Sequence, residues 1–425
     1  MRSRARMSGQ VLGRILNRLK IASVLPLLLV AGCWDQLELE EQAFVVVIGL
    51  DKGPGNTVEV TFQIANPQVG SSDIGTAQNE PSSDTIRFTS SDILSAKELA
   101  NSVVTRTINF AHLKTMIVHE QLARDKRFPH IAGAAIRDPE MRREVAMIVS
   151  REKAYDFIMK NRPRLETRPH KYYELKQQRW QETGYVPYST LNQYLQQQVI
   201  DSMFLAIYAT AEEKNQRVWS REDDYIAGQV PKRSGDPVQM MGAAVFHNGK
   251  MVGTLTGQQM RWVQMLRHQS SVDAFITSFP DPLDERAMVT VRLFKNGATK
   301  IRMNLRKEEP DIHVTLYLRV QVLSFTSLQP YATDVEKQQL LIRHLREEIR
   351  KEVLDVIRTC QEKFPGDPFE WELIARKHFM TMPAYRAYGW SRHFKKANAD
   401  VTVELRIENF GKQRTPYVES QVGEG

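Results

Sequence analysis

The sequence predicts an α+β protein, with largely antiparallel or mixed sheets and helices packed on them. Three observations carry that expectation. Ile312, Val314, Leu316, Leu318, Val320 and Val322 occupy every second position, the period of a strand with one buried face. Shortly after, residues 334–361 carry Leu341, Leu345, Ile349, Val353, Val356 and Cys360 at steps of three and four, the stripe of an amphipathic helix. In the N-terminal half, short β-branched runs alternate with helical stripes, which argues for a mixed sheet covered by helices. A chain of 425 residues has room for several domains. Three are expected, at 33–200, 201–280 and 281–425, after a signal over 1–32.

The signal comes first. Arg2, Arg4, Arg6, Arg14, Arg18 and Lys20 precede an apolar run over residues 21–30, with no acidic residue among them. At 1.5 Å per residue that run covers about half of a ~30 Å hydrocarbon core, too little to span it. Val30, Ala31 and Gly32 place small residues directly before Cys33. This quartet resembles a bacterial lipobox, in which the thiol receives a diacylglyceryl group and the preceding peptide bond is cut. Two acyl chains, at about 0.8 kcal/mol per buried methylene, make a stable anchor. The expected mature chain starts at Cys33 and hangs from a membrane.

Residues 43–51 read as a buried strand, residues 52–56 as a turn and residues 57–64 as a strand with clean alternation, together a β-hairpin. Residues 66–84, rich in Ser, Gly, Gln, Asn and Pro, read as a loop. A strand over 85–89 leads to a helix through Ile93, Ala96, Ala100 and Val103, capped by Ser90 or Ser91. A strand over 112–118, a helix over 120–136 and a strand over 144–149 follow, with Ser150 as the cap of the next helix. Residues 162–188 are polar with several prolines and aromatics, and residues 217–237 are charged and loop-like.

The middle segment contributes a strand over 203–209 and a hairpin over 241–255 around Asn248-Gly249, a strong turn signal. A short helix is expected over 258–266. Beyond Pro280 come strands around Val289–Leu293, over 299–305 and over 312–322, the long helix, and a final strand with Val401, Val403, Leu405 and Ile407 on one face.

Composition excludes several functions. The formal charge is +8, but six of the 58 basic residues precede Cys33; the remaining 52 face 50 acidic ones, too balanced for a nucleic-acid footprint. With Cys33 acylated, Cys360 has no disulfide partner. Its place on an apolar helix face reads as a small buried hydrophobe, not a nucleophile. The ten histidines form no H-x-x-x-H or H-E-x-x-H pair, so no metal is expected; His112 and His119 are read at the two ends of one strand. The glycines at 49, 53 and 55 lack a following Gly-Lys-Ser/Thr, so they mark a turn rather than a phosphate loop. No enzyme and no cofactor are expected. Arg137, Asp138, Glu140 and Arg142 form a charged cluster, read either as a solvated surface or as a partner-docking patch that sets the register of an interface.

Several stretches together carry a resemblance. Cys33-Trp34-Asp35, Gly49-Leu50-Asp51, Phe110-Ala111-His112-Leu113-Lys114, Val118-His119-Glu120-Gln121-Leu122-Ala123, residues 137–142, the hairpin from Gly242 to Leu255, and Trp390 and Phe394 before the final strand occur in the order seen in the Ger(x)C family. The chain resembles these C subunits of spore-germination nutrient receptors over nearly all of its mature length. After the long helix the family usually shows Ser-Asp-hydrophobic-Gly. Here Gly366-Asp367-Pro368-Phe369-Glu370 keeps only the Asp. The resemblance implies three α/β domains and a non-enzymatic, lipid-anchored subunit on the outer face of the spore inner membrane. It also implies assembly with integral-membrane A-type and B-type subunits. The alternative is a lipid-anchored solute-binding protein feeding a transporter, which calls for two similar lobes around a cleft.

Overall fold

The computed structural model describes residues 38–66, 81–199, 202–213, 224–268, 272–327 and 329–410. The signal, Val30, Ala31, Gly32 and Cys33 lie outside the described residues, as does most of the expected 66–84 loop.

The first hairpin forms as its pattern requires. β1 (Gln42–Lys52) is almost wholly buried and pairs antiparallel with β2 (Val58–Ala65). β3 (Ser83–Ser90) adds to β2, and α1 (Ile93–Asn101) follows. The α1 cap is Asp92, whose carboxylate accepts from Ser95 N at 2.7 Å; Ser90 and Ser91 only flank it. β4 (Thr107–Asn109) and β5 (Thr115–His119) both run parallel to β1, β4 against its first residues and β5 against its middle. His112 therefore lies in the turn before β5, exposed and edge-on to Phe44 at 4.6 Å, and only His119 ends the strand.

The expected 120–136 helix is two short ones, α2 (Glu120–Ala123) and α3 (Phe128–Ala135). Asp125 accepts from the backbone and guanidinium of Arg127, and Pro129 opens the second helix, a position that suits proline. β6 (Ala146–Ser150) leads to α4 (Ala154–Lys160). Ser150 does not cap α4; Asp51, from β1, accepts from Ala154 N at 2.7 Å and Tyr155 N at 3.1 Å. The polar stretch holds α5 (Pro169–Thr183), followed by α6 (Leu191–Val199).

β7 (Phe204–Thr210), β8 (Gln239–His247) and β9 (Lys250–Leu255) complete one large sheet, ordered β3-β2-β1-β5-β6-β7-β8-β9 with β4 beside β1. Asn248 and Gly249 take φ of 49° and 75°, as a two-residue hairpin turn demands. α7 (Gly257–Leu266) begins with a complete capping box between Thr256 and Gln259.

The second sheet is built around β13 (Asp311–Phe325). β14 (Asn398–Asn409) runs parallel along one side of it. On the other side β12 (Lys300–Asn304) pairs with its first residues and β11 (Asp284–Lys295) with its last, with β10 (Ala274–Asp281) outside β11. β10 has no alternation to betray it and contains Pro280, which an edge strand tolerates. α8 (Val335–Lys363) lies on this sheet; its predicted stripe is buried to the last residue, and Asp334 caps it through Glu336 N and Lys337 N. Burial pushes the Cys360 thiol up, which leaves it inert.

The mixed α+β class stands as predicted. The strand grouping, however, crosses the boundaries drawn at 200/201 and 280/281: β7–β9 finish the first sheet and β10 opens the second. One apolar core explains the continuity. Met203, just before β7, and Leu205, Val245 and Leu255 from the large sheet share a cluster with Trp262 of α7, Leu316 of β13 and Leu345 of α8. Glu352 of α8 accepts from Trp262 Nε1 and Gln258 Nε2, each at 2.8 Å. Among the described residues no helix is long and apolar enough to cross a membrane.

Candidate docking site

β1, β5, β6 and β7 point the same way. The segments that lead into them, residues 39–41, 111–114, 137–145 and 202–203, therefore gather at one edge of the large sheet. The charged cluster singled out in the sequence sits there. It splits into two kinds of residue: Arg137 and Arg142 are exposed, Asp138 is buried and Glu140 half-buried.

The two carboxylates face inward onto Lys97 of α1. Lys97 Nζ is 2.8 Å from Asp138 Oδ2 and 2.8 Å from Glu140 Oε2, and it lies over the Phe110 ring at 4.8 Å. Glu140 also accepts from Phe110 N and from Asn109 Nδ2, and that amide reaches Gln42 Oε1 at 2.7 Å. The cluster thus ties the first residue of β1 to α1 and to the loop before β6. Burial works against the Lys97 charge, but hydrogen bonds and charges from Asp138 and Glu140 outweigh it and raise its pKa. Lys97 was not singled out from the sequence. Its signal was there: it falls four residues after Ile93, on the stripe that α1 buries.

A second acidic pair lies on the same edge, where the sequence departs from Ser-Asp-hydrophobic-Gly. Three short helices follow α8: α9 (Glu372–Ala375), α10 (Met382–Tyr388) and α11 (Trp390–Phe394). Asp367 is buried and accepts from Phe369 N at 2.6 Å, Glu372 N at 2.9 Å and Trp390 Nε1 at 3.2 Å. Glu372 is buried too, and the Ser202 hydroxyl donates to its Oε1 at 2.5 Å, across to the large sheet. Burial pushes both carboxyls up. The Asp367 charge raises Glu372 further. The retained Asp thus organises the loop while its neighbours have changed. Glu370 even adopts φ of 61°, a left-handed conformation that favours glycine, held by Arg267 at 3.0 Å.

Asp51 and His119, from two matched stretches, also meet: Asp51 Oδ1 is 3.6 Å from His119 Nδ1 while capping α4. Gly49 beside them is packed so closely that a Cβ would stand 2.9 Å from Ile158 Cδ1. No group of three His, Cys, Asp or Glu able to hold a metal ion occurs among the described residues.

Residues 35–209 match the family described as spore germination protein N-terminal domain. Residues 241–411 match the spore germination B3/GerAC-like C-terminal family. The chain belongs to the GerAC-like spore germination family. YfkR of Bacillus subtilis (strain 168), whose name assigns it to spore germination, is 24% identical over 409 residues, covering 91% of this chain and 96% of YfkR. Spore germination protein B3 of the same organism is 21% identical with the same shares covered. Spore germination protein KC, also from that organism, is 26% identical over 144 residues, 33% of this chain and 35% of KC. The crystal structure of the GerBC protein superposes with a TM-score of 0.51 at 16% identity, covering 85% of this chain and 97% of GerBC, a likeness of fold. The two GerAC-like domain matches leave residues 210–240 between them, from the end of β7 to the start of β8.

Proposed function

We propose that this GerAC-like chain is a non-enzymatic subunit of a spore nutrient-germinant receptor. It is anchored by diacylglyceryl on Cys33 to the outer face of the spore inner membrane and assembled with integral-membrane A-type and B-type subunits. The observation that carries this reading is the ordered match of both spore germination domains along one chain, the first beginning two residues after Cys33. The exposed pair Arg137 and Arg142 supplies a docking surface, while Asp138 and Glu140 hold the loop that presents them.

The transporter reading finds no support. The two sheets differ in strand number and order and share one apolar core, so they are not twin lobes around a hinge. A recess of about 520 Å³ lies beside β3 and the residues after α4, lined by Asp84, Thr85, Asn161 and Arg162, within the territory of one sheet.

The test is nutrient-triggered dipicolinate release from spores without the chain, with the intact copy restored, and with a Cys33→Ala copy restored. Release that fails for some nutrients, returns with the intact copy and stays weak with Cys33→Ala supports both subunit role and anchor. Normal release for every nutrient without the chain, in spores stripped of paralogous receptors, sinks the reading.

A further inference from the structure

Residues 373–399 carry six Lys and Arg, two His and no Asp or Glu. All six cations are exposed: Arg376, Lys377, Arg386, Arg392, Lys395 and Lys396. Only Lys396 forms an ion pair among the described residues, with Glu308 at 3.2 Å. This differs from the ordinary solvated faces of the molecule. On α8, for example, Glu347, Glu348, Arg350, Lys351 and Asp355 interleave both signs.

The same segment exposes apolar tips. Met380 is fully exposed and Met382 is 41% exposed, on either side of Thr381, the cap of α10. They do not dangle from a loose loop. Phe379 behind them packs edge-on against Tyr385 and at a tilt against Tyr388, with ring centroids 5.7 and 5.1 Å apart, and Trp371, Trp390 and Phe394 root the segment in the core. Flexible, polarisable methionines held outward among exposed cations suit an interface whose surface is charged and whose interior is apolar.

Topology gives the direction. The Ser202–Glu372 hydrogen bond pins the start of this segment to the edge of the large sheet where β1 begins. Only β5 and β6 separate β1 from β7, three strand spacings or roughly 15 Å. A tether entering β1 and the acid-free segment therefore lie on one side of the molecule.

We propose that residues 373–399 form a second, reversible membrane contact, with Arg376, Lys377 and Arg386 on anionic lipid headgroups and Met380 and Met382 entering the interface. The orientation rests on the anchored reading given above; the lipid affinity does not. The contact fixes the subunit's tilt on the bilayer, which a single point of attachment cannot do.

The test uses the chain from Trp34 onward, which contains every described residue and lacks Cys33. Its sedimentation with vesicles of phosphatidylcholine plus phosphatidylglycerol is compared with phosphatidylcholine alone, at low and high salt. Binding is expected only with the anionic lipid, and it should weaken with salt. Arg376→Gln/Lys377→Gln/Arg386→Gln should weaken it on the order of a hundredfold. Met380→Asp should weaken it by less. The control Arg343→Gln/Lys351→Gln/Arg358→Gln on α8 should bind as the parent does, and all four chains should melt together. No phosphatidylglycerol-dependent binding, or equal binding by the two triple variants, overturns the proposal. So does a patch variant that abolishes germination although the parent never binds vesicles, because the surface then serves a protein partner. Acylation of Cys33, read from the mass of the full chain extracted from membranes, is decided separately.

Discussion

Two acidic pairs sit on the same edge of the large sheet, and they are neutralised in different ways. Asp138 and Glu140 converge on Lys97, so a cation balances them. Asp367 and Glu372 are more deeply buried; backbone and indole donors surround Asp367, while burial and the neighbouring Asp367 charge raise the pKa of Glu372. A buried carboxylate must lose its charge or find a partner. Which solution is used decides how the site responds to pH. Lys97 has a raised pKa, so its contribution is complete below the ordinary value of 10.5 and is lost only as pH climbs through the higher folded value. The Asp367–Glu372 pair behaves oppositely. Both folded pKa values lie above the unfolded ones, so the folded state binds more protons, and the pair's contribution falls as pH rises from about 4 upward.

The strongest way to break this contrast is Lys97→Met. It leaves two carboxylates facing each other without their cation and should cost about 3 kcal/mol or more. Urea unfolding should show a deficit that stays level between pH 6 and 9. A deficit within 0.5 kcal/mol, as for an ordinary surface residue, would mean that solvent rather than lysine balances the pair. A subtler change is Glu372→Gln, which keeps an acceptor for Ser202 and removes the titrating carboxyl. Stability at neutral pH should shift by about 1 kcal/mol or less. Its slope against pH above about 4 should flatten relative to the parent; an unchanged slope would mean that Glu372 does not carry this pH dependence. The smallest structural effect is expected for Arg137→Ala/Arg142→Ala, within about 0.5 kcal/mol. In the proposed assembly this pair should nevertheless lower co-purification with the integral-membrane subunits. Retained co-purification would return these arginines to the solvated surface.

Much of this was legible. Period-two alternation located β2, β13 and β14, period 3.6 located α8, and Asn248-Gly249 located the second hairpin, because in each a local pattern and the burial it implies coincide. What remained hidden depended on residues far apart in sequence. Asp51 caps α4 from about a hundred positions away, so Ser150 looked like the better cap. The 120–136 stripe concealed a break set by Asp125, Arg127 and Pro129. β10, an edge strand with a proline, had no periodicity to reveal it. In the charged cluster the residue types were visible and their directions were not. Asp138 and Glu140 turn inward because Lys97 waits on α1, whereas Arg137 and Arg142 have no such partner among the described residues. Grouping into sheets was least legible, since strands 201–255 look self-sufficient until β7 is seen to pair with β6.

The position of β1 also bears on mechanics. It lies inside the large sheet, with β2 along one side and β4 and β5 along the other. Tension applied at its first residue would act along the strand, across ladders whose hydrogen bonds run sideways. Those bonds would be stretched together in shear rather than peeled one after another. Gln42, clamped to Asn109 and through it to Glu140, is where such tension would first be felt. A molecule tugged at this point would resist as a sheet, whereas the same tug on β3 or β9 at the rim would unzip a single strand.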